Sequence, residues 1–251
     1  MDDIAAAFAQ PIAHRGLHNH KKGIIENSAD AFAAAINAGL AIECDLQLTG
    51  DDQPVVFHDY TLDRLTAQSG RLRSISADQF SRIPLKGSQN KPQSFADLLQ
   101  QVDGQVPLIV ELKSQHDDNS QLAKHTVEVA QNYEGPLVFK SFDPKLLVDL
   151  RRHACPWPIG VVLEREKPKN APWIVGFLLR HLLHWPWTRF SFVSCNVDDL
   201  DLPMVRLCRT LGYKVMTWTV KNEAQHANAA IYADQVVFED EGLSQLDKGK
   251  K

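Results

Sequence analysis

Between Ile12 and Asp59 the chain reads I-A-H-R-G, E-N-S, E-C-D and V-V-F-H-D, segments that carry His14, Arg15, Glu26, Asn27, Glu43, Asp45, His58 and Asp59. Glu111 and Lys113 follow in L-I-V-E-L-K. Glu43 and Asp45 are two apart in an apolar run, so on a strand both face one way while Cys44 faces the other. Glu111 and Lys113 repeat that spacing. Acids projecting together from one face are costly unless something neutralises them. Three carboxylates, with no cysteines or histidines at zinc spacing, suit a hard cation, Mg²⁺ or Ca²⁺. The competing reading is a salt-bridged polar layer in which Lys113 neutralises the acids. His14 and His58 each end an apolar run, and histidine titrates where proton transfer near neutrality needs it. Arg15 offers a forked donor for phosphate or carboxylate; Asp59 suits orienting His58 or capping the next turn. Together these residues point to metal-assisted acid–base chemistry on an anionic substrate.

Polar residues at the ends of strands in an α/β chain are where catalytic groups collect, and the elements needed to place them are legible. Strands are expected at 11–14, 41–48, 54–58, 107–112, 136–142, 159–163, 190–195, 214–220 and 235–238, from their apolar, β-branched composition. Helices are expected at 28–38, 119–132, 144–153, 172–184, 201–211 and 222–230, the first opening on Ser28 as N-cap and ending at Gly39. Strands alternating with helices predict parallel βαβ units, hence an α/β TIM (β/α)8 barrel in a single domain over 1–251. Nine strands exceed eight barrel positions. Residues 48–54 are too short for a parallel crossover, so 41–48 and 54–58 form a hairpin with one arm in the barrel. Residues 60–105 break the rhythm and read as a small inserted cap, with short helices near 76–82 and 94–101.

A chain of 251 residues, 44% hydrophobic and 23% charged, has enough apolar content for a full core. A net charge of −4 lacks the basic excess of a nucleic-acid binder. Cys44, Cys155, Cys195 and Cys208 form no CxxC pair, and Cys44 and Cys195 read as small buried hydrophobes. The opening M-D-D-I is acidic where a signal peptide would be basic, and no apolar run reaches the ~18–20 residues of a membrane span. The expectation is a cytoplasmic protein acting on a small molecule.

Other residues leave alternatives open. His18 and His20, in H-N-H-K-K, read as a solvated turn; His116, His125, His153 and His226 read as surface. Trp218, on one strand face with Met216 and Val220, either walls a pocket or packs in the core, and Phe142 has the same ambiguity. The Trp-rich segment 173–187 is either a barrel helix with a wide buried face or a helix that also touches membrane or a partner.

The segments I-A-H-R-G, E-N-S, I-E-C-D-L-Q-L-T, V-V-F-H-D-Y-T-L-D-R-L-T, L-I-V-E-L-K, S-F-D-P and W-T-V-K-N, in this order across nearly the whole chain, resemble the glycerophosphodiester phosphodiesterases, in their short cytoplasmic bacterial form. The resemblance implies a TIM barrel with an inserted cap, a divalent metal on Glu43, Asp45 and Glu111, and His14 and His58 as the acid/base pair. It also implies Arg15 and Lys113 near the phosphate, Glu26 in the site, and Phe142 with Trp218 beside the substrate. The reaction implied is hydrolysis of glycerophosphodiesters, the deacylated phospholipids, to sn-glycerol 3-phosphate and an alcohol. Phospholipase-D-like or cyclising lipid phosphodiesterases use the same barrel, but are typically secreted with disulfides. The chain departs from the family at Ile25, Ser28 and Leu65, and in its last strand, which ends V-V-F-E-D. None of these departures removes a catalytic group.

Overall fold

The computed structural model describes residues 3–115, 121–166 and 172–239. The apolar and β-branched runs form β1 (Ile12–Ala13), β2 (Ala41–Leu48), β3 (Pro54–Val56), β4 (Leu108–Leu112), β5 (Leu137–Ser141), β6 (Ile159–Leu163), β7 (Phe192–Asn196), β8 (Lys214–Val220) and β9 (Gln235–Phe238). All but β3 are parallel, in the order β1-β2-β4-β5-β6-β7-β8-β9, and β9 pairs back onto β1. This is the closed TIM barrel expected from the strand–helix alternation. β3 pairs antiparallel with the second half of β2, Leu46 opposite Val56 and Leu48 opposite Pro54, as the short turn between them requires.

Helices fill the crossovers: α1 (Asp3–Ala7) before β1, α2 (Ala29–Asn37), α3 (Ala77–Ser81), α4 (Phe95–Val102), α5 (Gln121–Ala130), α6 (Pro144–Arg152), α7 (Trp173–Arg180), α8 (Trp185–Thr188), α9 (Pro203–Thr210) and α10 (Glu223–Tyr232). Ser28 caps α2 by accepting from the Ala31 amide, and Gly39 follows the helix in the left-handed region. Residues 119 and 120 of the helix expected over 119–132, and His116, lie outside the described residues.

The barrel interior is built with period two. Ile12, Ala41, Ile109, Val138, Phe192, Met216 and Val237 form an apolar floor, closed below by α1 through Ala7 and by Phe8, whose ring sits edge-on to Phe192 at 6.0 Å. Two residues further along the same strands the inward face becomes polar: His14, Glu43, Glu111, Lys140 and Glu239. The alternate side chains, Cys44, Val110, Phe139, Cys195 and Phe238 among them, enter the main core between strands and helices. All four cysteines are free, and Cys44 and Cys195 are buried.

The polar stretch from 60 to 105 divides in two. Residues 57–85 build a small core of their own around Phe57, Leu62, Leu72 and Phe80, with Ile25 joining from the loop before α2. α4 instead lies in the helix ring between α2 and α5, burying Phe95, Leu98, Leu99 and Val102, one face at helical spacing. The Trp-rich segment departs from the wide-buried-face reading. It splits into α7 and α8, with Pro186 in the first turn of α8, and within α7 only Gly176 is buried.

Candidate active site

At the C-terminal ends of the strands the barrel opens into a cavity of roughly 520 Å³, lined by His14, Arg15, Glu26, His58, Phe142 and Trp218 as well as by Asp45, Glu111 and Lys113. This is the face where TIM-barrel sites form. Of the residues that the resemblance implicates, all but Glu43 line this cavity, and Glu43 converges with Asp45 and Glu111, which do.

Glu43 and Asp45 on β2 and Glu111 on β4 converge, one carboxylate oxygen from each lying within 4.8 Å of the others. β-Pairing places Asp45 directly opposite Glu111. They are 0%, 1% and 5% exposed. Isolated burial of that kind would force protonation, so the cations around them decide their state. Lys113 Nζ lies 2.8 Å from Glu111 Oε1 and 3.5 Å from Asp45 Oδ1. Lys140 Nζ lies 2.8 Å from Glu111 Oε2 and 2.9 Å from Glu43 Oε1. Burial alone would raise the Glu111 carboxyl; Lys113 and Lys140 outweigh it and hold it at about 2. Burial is likewise outweighed at Asp45, where Lys113 and Arg15 keep the carboxyl well below the usual range. The acids pull both lysines upward against burial, so they stay charged. Asn27 Nδ2 also donates to Asp45 Oδ2 at 2.9 Å.

Both histidines are pinned through Nδ1. His14 Nδ1 bonds Glu239, which follows β9, and its Nε2 faces Glu43 Oε2 at 3.8 Å. His58 Nδ1 bonds Asp59 Oδ1 at 2.7 Å. An ionised carboxylate can only accept, so each Nδ1 carries the hydrogen and each Nε2 is left for other partners. Glu239 is itself held by Lys221 Nζ at 2.7 Å, with His18 Nε2 at 3.8 Å. Burial would raise the Glu239 carboxyl, yet His14, His18 and Lys221 outweigh it and keep it well below the usual range. The loop bearing His58 is tied down by Gln47, whose amide donates to the His58 and Asp59 carbonyls at 2.8 and 2.7 Å.

Arg15 sits in the left-handed region at φ 55°, its carbonyl accepting from the amide of Asn27, itself left-handed at φ 53°. Gly16 follows at φ 78°; a Cβ there would come within 2.8 Å of the Ala31 backbone, so only glycine lets this loop lie on α2. The Arg15 amide donates to Glu43 Oε2 at 3.2 Å, and its guanidinium bonds Glu26 Oε1 at 2.6 Å. Arg64 from the cap grips the same Glu26 with two bonds of 2.8 Å and also bonds Asp59 at 2.6 Å. Burial would raise the Glu26 carboxyl; Arg64 and Arg15 hold it at about 2. Phe142 and Trp218 form one wall, ring centroids 5.5 Å apart and edge-to-face, with Lys113 Nζ 6.0 Å from the Phe142 centroid. Both line the cavity, and Trp218 also packs against the apolar floor, so for it the two readings hold together.

Lys140, Glu239 and Arg64 were not anticipated. Lys140 shares the inward parity of Val138 and Phe142, and pairs in register with Glu111. Glu239 is two residues past the inward Val237, in the atypical V-V-F-E-D ending. Arg64 lies in the cap, where periodicity carries no signal. The solvated-turn reading of H-N-H-K-K needs correction: the His18 side chain is only 7% exposed and faces Glu239, while His20 is half-exposed, 3.7 Å from Glu26.

The donor set fits a hard divalent cation: three buried carboxylates on adjacent strands, of which Glu43 Oε1 has an ion-pair contact but no aligned hydrogen bond. The salt-bridged layer and the cation site are therefore compatible. Lys113 and Lys140 support the same acids from the side.

A model of the Glycerophosphoryl diester phosphodiesterase family matches residues 14–241. The chain is 24% identical to the glycerophosphodiester phosphodiesterase of Caldanaerobacter subterraneus over 219 residues, covering 83% of this chain and 84% of that one. It is 23% identical to glycerophosphodiester phosphodiesterase 1 of Homo sapiens, over 83% of this chain and 71% of that protein. Among solved structures, an Oleispira antarctica phosphodiesterase in complex with the product sn-glycerol-3-phosphate superposes with a TM-score of 0.82 at 21% identity, over 98% and 99% of the two chains. A glycerophosphodiester phosphodiesterase from Parabacteroides distasonis gives 0.76 at 19% identity, over 96% and 98%. This chain belongs to the glycerophosphoryl diester phosphodiesterase family.

Proposed function

We propose that the chain hydrolyses glycerophosphodiesters to sn-glycerol 3-phosphate and a free alcohol, with Glu43, Asp45 and Glu111 holding a divalent metal and His14 and His58 acting as the acid/base pair. The observation that carries this reading is the meeting of three buried carboxylates and two carboxylate-pinned histidines in one cavity. When bound, Mg²⁺ or Ca²⁺ supplies positive charge for the phosphoryl oxygens. The three carboxylates are already matched by Arg15, Lys113 and Lys140. Glu26, Asp59 and Glu239 around them are set against Arg64 and Lys221, so the protein groups alone leave no positive excess, and the charge of a bound dication would be what favours a phosphodiester anion there.

Arg15 and Lys113 meet the phosphoryl oxygens, and Glu26, clamped by Arg64, holds the Arg15 guanidinium in place. Phe142 and Trp218 confine the organic part of the substrate. His14 Nε2 accepts the proton of the attacking hydroxyl, and His58 Nε2 gives one to the leaving alkoxide. The attacking group is the glycerol hydroxyl beside the esterified carbon, already tethered near phosphorus. Its attack breaks the bond to the headgroup oxygen and leaves a cyclic glycerol phosphate. Water then opens the ring, with the histidines exchanging roles.

The test is a leaving-group comparison. In His58→Ala, turnover of a substrate with a poor alkoxide leaving group should fall on the order of 10²–10⁴-fold, while a nitrophenyl ester, which leaves unprotonated, is far less affected. Equal losses on both substrates would remove His58 from the acid role.

A further inference from the structure

Seven of the twelve exposed large apolar side chains among the described residues fall between Trp173 and Trp187, a span of fifteen positions. In α7 they recur as Trp173/Phe177 and Ile174/Leu178, two i,i+4 pairs side by side on the helix surface, 74%, 42%, 42% and 41% exposed respectively. Trp185 and Trp187 in α8 continue the surface at 44% and 68%. A barrel helix normally turns this face inward, and nothing in the catalytic account uses it.

The charge around the face is as uneven as its hydropathy. From Trp173 to Arg189 the chain carries Arg180 and Arg189 and no Asp or Glu, in a protein whose net charge is −4. Arg151 of α6 joins them: its guanidinium donates to the carbonyls of Thr188, at 2.6 Å, and Arg189. A two-fold contact between copies would set these cations against their own kind, because an isologous interface meets itself. Exposed Trp, Phe and Leu beside Arg, on a helix too short to span, match the chemistry of a surface that lies in the headgroup region of a bilayer.

We infer that the α7–α8 face docks the protein reversibly on an anionic lipid surface. The apolar pairs enter the boundary between headgroups and acyl chains, and the arginines meet the lipid phosphates.

The experiment uses the full chain, sedimented with phosphatidylcholine vesicles with and without phosphatidylglycerol, at low and high salt, alongside turnover of a water-soluble substrate. Binding is expected on the anionic vesicles and should weaken with salt. Arg180→Glu changes the local charge by two, which at roughly fivefold per charge near a membrane weakens binding about 25-fold. Trp173→Ser with Phe177→Ser should release the protein as well. Neither variant should alter turnover of the soluble substrate, which separates a folding failure, or a failure of the proposed reaction, from loss of docking. Three results would overturn the inference: no sedimentation with anionic vesicles at low salt, equal binding to neutral vesicles, or a wild-type dimer that the Trp173/Phe177 variant dissolves. The last would assign the face to a second copy of the chain.

Discussion

Replacing Lys140 with methionine tests whether the acidic cluster is balanced as described. The ammonium is 2% exposed and sits 2.9 and 2.8 Å from carboxylate oxygens of Glu43 and Glu111. Met keeps most of the volume and removes the charge. Breaking a buried ion pair from one side costs about 3–5 kcal/mol, because the partner stays buried and uncompensated. At about 2 °C per kcal/mol for a chain of this length, the melting temperature in chelator should fall by about 6–10 °C. The sign with pH follows. Without Lys140 the folded-state pKa of Glu111 rises, so the deficit is fully present at high pH and shrinks as pH falls through the raised value and a proton replaces the missing cation. A divalent metal on the same carboxylates should also offset the loss, so Mg²⁺ or Ca²⁺ should raise the melting temperature of Lys140→Met more than that of the wild type. Scanning calorimetry of both proteins over a pH series, in chelator and in excess metal, measures all three effects. A melting temperature in chelator within about 2 °C of wild type would refute the buried-pair reasoning.

Three further outcomes are expected. Glu239→Gln removes the charge that pins His14, so kcat should drop on the order of 10²-fold with KM little changed, and Glu239→Asp should recover part of it; steady-state kinetics showing a KM effect alone would place Glu239 outside the acid/base machinery. Glu26 has its folded pKa depressed to about 2, so the stability it contributes is present above the unfolded value near 4.3 and is lost as pH falls from there towards 2. Melting curves of Glu26→Gln should therefore fall less steeply than wild type across that acid window, and parallel curves would show that the Arg15–Glu26–Arg64 clamp adds nothing to stability. A substrate lacking the glycerol hydroxyl beside the ester should be hydrolysed far more slowly; undiminished turnover, with no cyclic phosphate seen by phosphorus NMR, would rule out attack through that hydroxyl.

What the sequence revealed, and what it hid, follows the reach of period-two patterning. Glu43, Asp45, Glu111 and Lys113 are visible because each acid or cation interrupts an apolar strand whose neighbours fix which face is shared. The hairpin of β2 and β3 was legible from loop length alone, since five residues between them cannot make a parallel crossover. Lys140 lay in plain view at the same parity, but a lone lysine near a strand end usually reaches solvent, and only the register with Glu111 shows that it turns inward. Glu239 is similar: its strand has four residues, and its partner His14 is 225 positions away. Arg64 and His18 belong to loops, whose conformations come from tertiary contacts that no local period records. α7 leaves two readings open. Its apolar pattern has the spacing of a buried barrel helix, while the tryptophans of its segment also suit contact with a membrane or partner, and only the tertiary structure shows that this face looks outward.

Phosphorus NMR of the full chain acting on glycerophosphocholine, with Mg²⁺ or Ca²⁺ and then with excess chelator, beside the Glu43→Gln variant, tests metal-dependent hydrolysis at this site. The expected result is sn-glycerol 3-phosphate and free choline with metal present, turnover stopped by chelator and restored by added cation, and little or none in Glu43→Gln. Sustained hydrolysis in excess chelator, an undiminished Glu43→Gln rate, or phosphocholine with free glycerol as products would contradict it.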